Sequence, residues 1–224
     1  MKRVLVLFGV ILSAFLILGH TGTGANSVPF ESRFDSGMAS GESGDYLFDK
    51  AHSFIGFKVR HMGLIEVPGF FRDFTGKVSY DAKDVARSTV EFSAKVTSVD
   101  TGVAPRDNHL RSPDFFEVDK YPDLTFKSTK VEMKGKQWFV TGDFTMKGVT
   151  RSITFPFDIV GWLPGNERAG TRMGISAQTT INRRDYGINY GQTLPGGVAA
   201  LSDEVKIDLQ IEAGMAKAAP AQPK

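Results

Sequence analysis

Three histidines lie beyond the first 25 residues, His52, His61 and His109, and each invites a chemical reading. Asp49-x-x-His52-Ser53 holds the residue types of an acyl-transfer relay, in which a carboxylate orients an imidazole that activates a hydroxyl. In an extended chain, side chains at i, i+3 and i+4 diverge, so no relay is expected to assemble there. His52 and His61 are separated by an odd interval, which puts them on opposite sides of one strand and prevents them from sharing a metal. His109 sits in the polar run Arg106-Asp107-Asn108-His109-Leu110-Arg111, where local hydrogen bonding competes with a catalytic role. No HExxH, GxSxG, P-loop or helix-opening GxGxxG is present. The chain has no cysteine, which removes thiol nucleophiles, thiolate zinc sites and disulfides together. No catalytic or metal-ligating residue and no cofactor is assigned, and the chain is not expected to be an enzyme.

A second polar run, Thr180-Ile181-Asn182-Arg183-Arg184-Asp185-Tyr186-Gly187, admits two readings together with the first. Buried Arg–Asp pairs there would pin loops to the body of the protein. If both runs border one opening, a guanidinium would instead meet a polar head group. Charge gives no further guidance: Lys and Arg number 27, Asp and Glu 25, and Lys2 and Arg3 account for the difference. A balanced chain offers no electrostatic case for nucleic acid or for an anionic membrane surface.

The elements that must position these residues are strands. Hydrophobic alternation with period 2 runs through eight segments, at 52–61, 70–80, 88–98, 123–133, 137–147, 152–162, 171–181 and 204–212. The last is the cleanest, with Val205, Ile207, Leu209 and Ile211 set against Lys206, Asp208, Gln210 and Glu212. One short helix is expected near 106–116, stopped before Pro113. Eight one-sided strands form a closed barrel or a two-layer sandwich, and the fold class is all-β, with a barrel preferred because it leaves no edges. A membrane barrel would alternate in the same way with its apolar face outward, but few Tyr and Trp are present for interfacial girdles.

Phe numbers 18 against 5 Tyr and 2 Trp. With the apolar faces inward, the wall comprises Phe57, Val59, Phe74, Val78, Phe92, Phe126, Phe144, Phe155 and Ile175, with Phe70, Phe157 and Ile207 on the same faces. Such a wall is either a solid core or the lining of a tunnel for one long apolar ligand. The ends read differently. Lys2 and Arg3, the apolar run Val4 to Gly19 and Thr23-x-Ala25 form a signal peptide over residues 1–25, so the product is expected to be exported; an uncleaved anchor is the alternative. Residues 26–44 read as a linker, 45–213 as the domain and 214–224 as a disordered tail.

The polar segments also carry a resemblance. Asp49-x-x-His52-Ser53, Phe57-x-Val59-x-His61, Gly69-x-Phe71-x-x-Phe74-x-Gly76 and Ser98-Val99-Asp100-Thr101 occur in order. They are followed by His109-Leu110-Arg111-Ser112-x-Asp114-Phe115-Phe116, Tyr121-Pro122-x-Leu124-Thr125-Phe126, Gly148-Val149-Thr150-Arg151, Arg172-x-Gly174-x-x-Ala177 and Ile181-Asn182-Arg183-x-Asp185-Tyr186-Gly187. Together they resemble the YceI-like family across nearly the whole domain. The resemblance implies a lipocalin-like, extended eight-stranded antiparallel barrel, commonly a homodimer and often periplasmic, with an elongated pore for a polyisoprenoid, quinone or similar lipid. The implied activity is sequestration or carriage of that lipid, with transient contact to a membrane or lipid donor. An isoprenoid-modifying or hydrolytic enzyme with a His109-centred mouth, and a ligand-free interaction module, are the alternatives. His109, Arg111, Arg172, Arg183 and Asp185 are the motif residues expected at a polar rim.

Overall fold

The computed structural model describes residues 41–166 and 169–216. Eleven strands and one helix follow in chain order: β1 (Gly44–Phe48), β2 (Phe54–His61), β3 (Ile65–Phe71), β4 (Phe74–Tyr80), β5 (Thr89–Lys95), β6 (Val99–Asp100), α1 (Ala104–Arg111), β7 (Asp123–Lys134), β8 (Gln137–Met146), β9 (Val149–Leu163), β10 (Arg172–Asn182) and β11 (Leu201–Met215). The sheet order is β1-β4-β5-β7-β8-β9-β10-β11-β2-β3-β6, and β1 also pairs with β11, which closes the ring. Every pairing is antiparallel.

The eleven strands occupy eight staves, because three staves are each broken in two. β1 and β2 share the stave beside β11; β3 and β4 share the next, and β5 and β6 the third. Hydrogen bonds stitch the breaks. Ser53 Oγ accepts from the Glu212 amide at 2.9 Å and donates to the Glu212 carbonyl, standing in for a strand where β1 gives way to β2. Ser98 Oγ accepts from the Asp73 amide, and the Arg72 amide donates to the Ser98 carbonyl, across the corner between β3 and β4.

That corner shifts the alternation. Phe71 and Phe74 are both buried although three residues apart, so the expectation that Phe70 shares the inner face fails. Phe70 turns outward, edge-on to Phe54 at 5.8 Å and beneath the Arg72 guanidinium at 4.5 Å. Elsewhere the apolar faces point inward and Lys, Asp, Glu and Thr side chains point out, the reverse of a barrel whose outer wall meets lipid. No helix among the described residues is long and apolar enough to cross a membrane.

The domain boundaries move slightly. β11 runs through Gly214 and Met215, which pair with Leu47 and Tyr46, so the strand continues two residues past the expected boundary. Residues 41–44, placed in the linker, are held by the barrel: Gly44 starts β1, and Ser43 Oγ accepts from the Ala82 amide. The signal peptide, the rest of the linker and the tail from residue 217 lie outside the described residues.

Candidate functional site

β11 spans the barrel from end to end, and its inward side chains index the interior. Ile211 and Leu209 line a cavity of about 80 Å³; Leu209, Ile207 and Val205 line a second of about 70 Å³; Val205 and Leu201 line a third of about 310 Å³. Adjacent cavities share walls. Phe92, Phe126 and Phe155 border both the first and the second, while Phe57, Phe116 and Met146 border both the second and the third. From Leu201 to Ile211 the strand covers ~33 Å, or ~25 Å of barrel axis at ordinary strand tilt.

The two inner cavities are lined almost wholly by apolar side chains, the exceptions being Ser88, Thr89 and Thr179. A close-packed interior holds few voids larger than a water molecule. The third cavity reaches the volume of a small-ligand pocket. The interior is therefore neither a solid core nor an open tube; it is a file of chambers separated by aromatic rings. Phe92 stacks on Phe126 at 5.7 Å, and Phe126 lies 5.4 Å from Phe155. Glycines make room for such rings: a Cβ at Gly142 would meet the Phe126 ring at 2.5 Å, and one at Gly69 the Phe57 ring at 2.3 Å.

At the end beyond Ile211 the interior is filled with rings. Tyr46 is fully buried, and its hydroxyl donates to the Glu42 carbonyl at 2.8 Å. Trp162 lies 5.5 Å from Tyr46 and 4.7 Å from Tyr80, and the Gly41 backbone packs so close to Trp162 that a Cβ there would clash. Burial raises the pKa of both tyrosines above the ordinary value.

The other end is a mouth with polar groups, built by α1 and the β10–β11 connection. α1 begins at Ala104 with Pro105 in its first turn, a position where the missing N–H costs nothing. It is anchored from beneath: buried Asp107 accepts from the Thr101 amide at 2.9 Å, and Arg111 donates to the Thr97 and Val99 carbonyls at 2.9 and 2.8 Å. His109 then faces the mouth, with Nε2 bonded to Asp114 at 2.8 Å and its ring edge-on to Phe115 and Tyr190.

Across the opening, Asn182 caps the 3-10 turn Arg183–Tyr186 by accepting from the Arg184 amide, and this turn directs Arg183 inward. The Arg183 guanidinium is 4% exposed. It donates to the Ser202 carbonyl at 2.9 Å, the Ile188 carbonyl at 2.7 Å and Asp203 at 3.1 Å. Desolvation lowers its pKa, and Asp203 opposes that shift.

Of the nine expected lining residues, Phe57, Val59, Val78, Phe92, Phe126, Phe144, Phe155 and Ile175 border cavities. Phe74 does not. It is buried opposite Ala94, where its ring fills the room left by the small side chain and leaves no void. Of the five rim residues, His109 and Arg183 border the mouth. Arg111 does not, because its donors are committed to loop carbonyls. Arg172 lies on the outer wall, where strand alternation places it opposite to inward Met173, and pairs with Glu212 and Asp49. Asp185 is exposed on the turn, and its carbonyl accepts from Arg151.

The relay expectation is partly corrected. A turn at Asp49 brings its carboxylate to His52 Nδ1 at 2.9 Å, so these two converge, but Ser53 bonds to the Glu212 backbone instead. The bond from Asp49 raises the His52 pKa and lowers that of Asp49. Asp49, His52 and Glu212 could offer three metal-ligand atoms, yet Arg172 already brings a cation to both carboxylates. Among the described residues no hydroxyl bonds to the imidazole of His52 or His109. Mouth residues that sequence reasoning left out include Pro68, Tyr190 and Leu201, which lie at a strand's exposed edge or beside an aperiodic glycine-rich loop.

Comparison with known proteins agrees with this architecture. The YceI-like domain model matches residues 46–213. Protein YceI of Shigella flexneri is 36% identical over 182 residues, spanning 80% of this chain and 90% of that protein. The crystal structure of the Campylobacter jejuni YCEI protein superposes with a TM-score of 0.61 at 30% identity, covering 75% of this chain and 96% of that one. A polyisoprenoid binding domain from Saccharophagus degradans, at 17% identity, shares the fold with a TM-score of 0.57 over 78% of this chain and all of that domain. With a family model that spans the barrel from Tyr46 of β1 to Ala213 of β11, the chain belongs to the YceI-like family.

Proposed function

We propose that this chain is an exported carrier that sequesters one long isoprenoid-type lipid, a polyprenyl or quinone, in its barrel. The observation that carries the reading is the file of apolar cavities, ~25 Å along the axis, of which only the third has arginine and histidine side chains in its lining. A hydrocarbon chain gains ~0.8 kcal/mol per buried CH2 without directional contacts. The head group stays at the mouth, within reach of Arg106 and His109. The lipid is cargo, not a cofactor, and no side chain is assigned a catalytic step. The name of the Saccharophagus degradans domain supports the ligand class, and the leader pattern at residues 1–25 supports a periplasmic location.

Native mass spectrometry of the exported protein, followed by organic extraction, tests this. The expected result is one additional prenylated lipid per chain. A protein that is isolated empty and stays empty after incubation with quinones and polyprenyl phosphates would overturn the reading.

A further inference from the structure

Ten large apolar side chains are exposed among the described residues, and six of them cluster at one end: Met62, Leu64, Ile65, Val103, Tyr190 and Val198. Leu64 and Ile65, at the tip of the β2–β3 hairpin, are 75% and 63% exposed. The tip is tied to the β10–β11 connection, since the Met62 amide donates to the Ala200 carbonyl and a Cβ at Gly63 would touch Val198. Val103 opens α1, between Thr101 and Arg106 of the mouth. Of these, Tyr190 lines the largest of the three cavities, whose walls include His61, Val67 and Pro68 of the same hairpin.

The outer face of this hairpin carries a small excess of cations, Lys58, Arg60 and Lys206 against Glu66 and exposed Glu204. Lys58 and Lys206 lie directly opposite across the β2–β11 pair, and Arg60 pairs with Glu66 on the neighbouring strand. Glu66 is the carboxylate on which Arg60 and Lys206 both converge. Arg106 bonds to Thr101 instead of to an acid, and Asp203 is shared between Arg183 and Arg184.

From the apolar tip and its cationic collar we propose that this end of the barrel docks reversibly on an anionic bilayer, with Leu64 and Ile65 among the head groups and the mouth turned to the lipid. The proposal rests on the carrier reading and adds the route by which cargo enters without crossing water. An apolar edge backed by cations is the combination that binds anionic lipid surfaces. A second copy is the poorer occupant, because two-fold pairing of the tips would set Lys58, Arg60 and Lys206 against their own equivalents.

The absence of cysteine permits a direct test. Leu64→Cys at the tip and Met133→Cys, exposed near the aromatic-filled end, each receive a polarity-sensitive fluorophore. Vesicles of phosphatidylcholine alone, or with an equal part of phosphatidylglycerol, are then added. The expected result is a blue shift at position 64 only, and only with phosphatidylglycerol. No shift, an equal shift at both positions, or a shift produced by raising protein concentration without vesicles would overturn the proposal; the last would assign the tip to a second copy. Uptake of polyprenol from detergent micelles is measured alongside on the Leu64→Ser/Ile65→Ser variant. Uptake at the wild-type level with transfer from vesicles slowed about tenfold supports docking. A wild-type protein that shows the shift but takes up no polyprenol from micelles would remove the carrier reading and leave docking standing.

Discussion

The two ends of the barrel use aromatic residues in opposite ways. Beyond Ile211, Tyr46, Tyr80 and Trp162 pack on one another and on the chain at Gly41, while Leu47, Val160 and Leu163 on the same strands are exposed. At the mouth, Phe115, His109 and Tyr190 form a similar trio with ring separations of 4.7 to 5.0 Å, but Tyr190 is 44% exposed and the trio borders the largest cavity. The same ring chemistry seals one end and frames an opening at the other. Whether the chain folds back over the rings decides which, and the contrast sets a direction for a bound lipid.

The strongest way to break this comparison is to remove a ring from each end. Tyr46→Ala is expected to cost about 4 kcal/mol in urea unfolding, as for large-to-small changes at fully buried aromatics. Tyr190→Ala is expected to cost less than about 1 kcal/mol. Equal costs would mean that both ends are structural. Next in size, Arg183→Met leaves the Ser202 and Ile188 carbonyls without their donor and is expected to lower stability by about 2 kcal/mol in the same assay.

Phe92→Trp sharpens the contrast from the inside. It thickens the partition between the two inner cavities, so stability is expected to change by about 1 kcal/mol or less while native mass spectrometry shows shorter or no cargo. Overpacking of a full core would instead lower stability by ~1–3 kcal/mol. At the mouth, His109→Ala is expected to weaken lipid binding by about 1 kcal/mol or less, as befits a half-exposed side chain whose ring nitrogen is already bonded to Asp114. The smallest effect belongs to the outer wall. The folded-state His52 pKa is raised, so its pair with Asp49 contributes fully below the unfolded pKa of ~6.5 and is lost as pH rises through the folded value. His52→Ala should therefore lower the melting temperature slightly at pH 5.5 and leave it unchanged at pH 8.5.

Much of the barrel was legible because each stave has one wet and one dry face, and period 2 records that directly. Legibility failed where a stave bends. The corner at Arg72 and Asp73 changes the phase, so Phe70 and Phe71 exchange sides, and no local composition marks the change. β1 is missing from the alternating segments because Gly44–Phe48 is too short to show the period, although Tyr46 is fully buried. The lining was readable for the same reason as the strands. The rim was not, because arginines of three motif segments serve different surfaces: Arg183 faces the mouth, Arg111 clamps a helix, and Arg172 sits on the outer wall. Spacing along a strand gives a face; it does not say how high on the barrel a residue lies.

The pairing that closes the ring, Tyr46 opposite Met215, joins the first strand of the domain to the last. Until β11 is in place, two staves offer unpaired edges and the phenylalanine wall has no eighth side. Such a chain has high contact order, so its final collapse belongs to the slow, millisecond-to-second class and cannot precede completion of the strand that ends at Met215. The architecture thus builds a waiting period into biogenesis, during which the apolar wall is open to proteases, to holding chaperones and to the same lipids that the finished barrel would enclose.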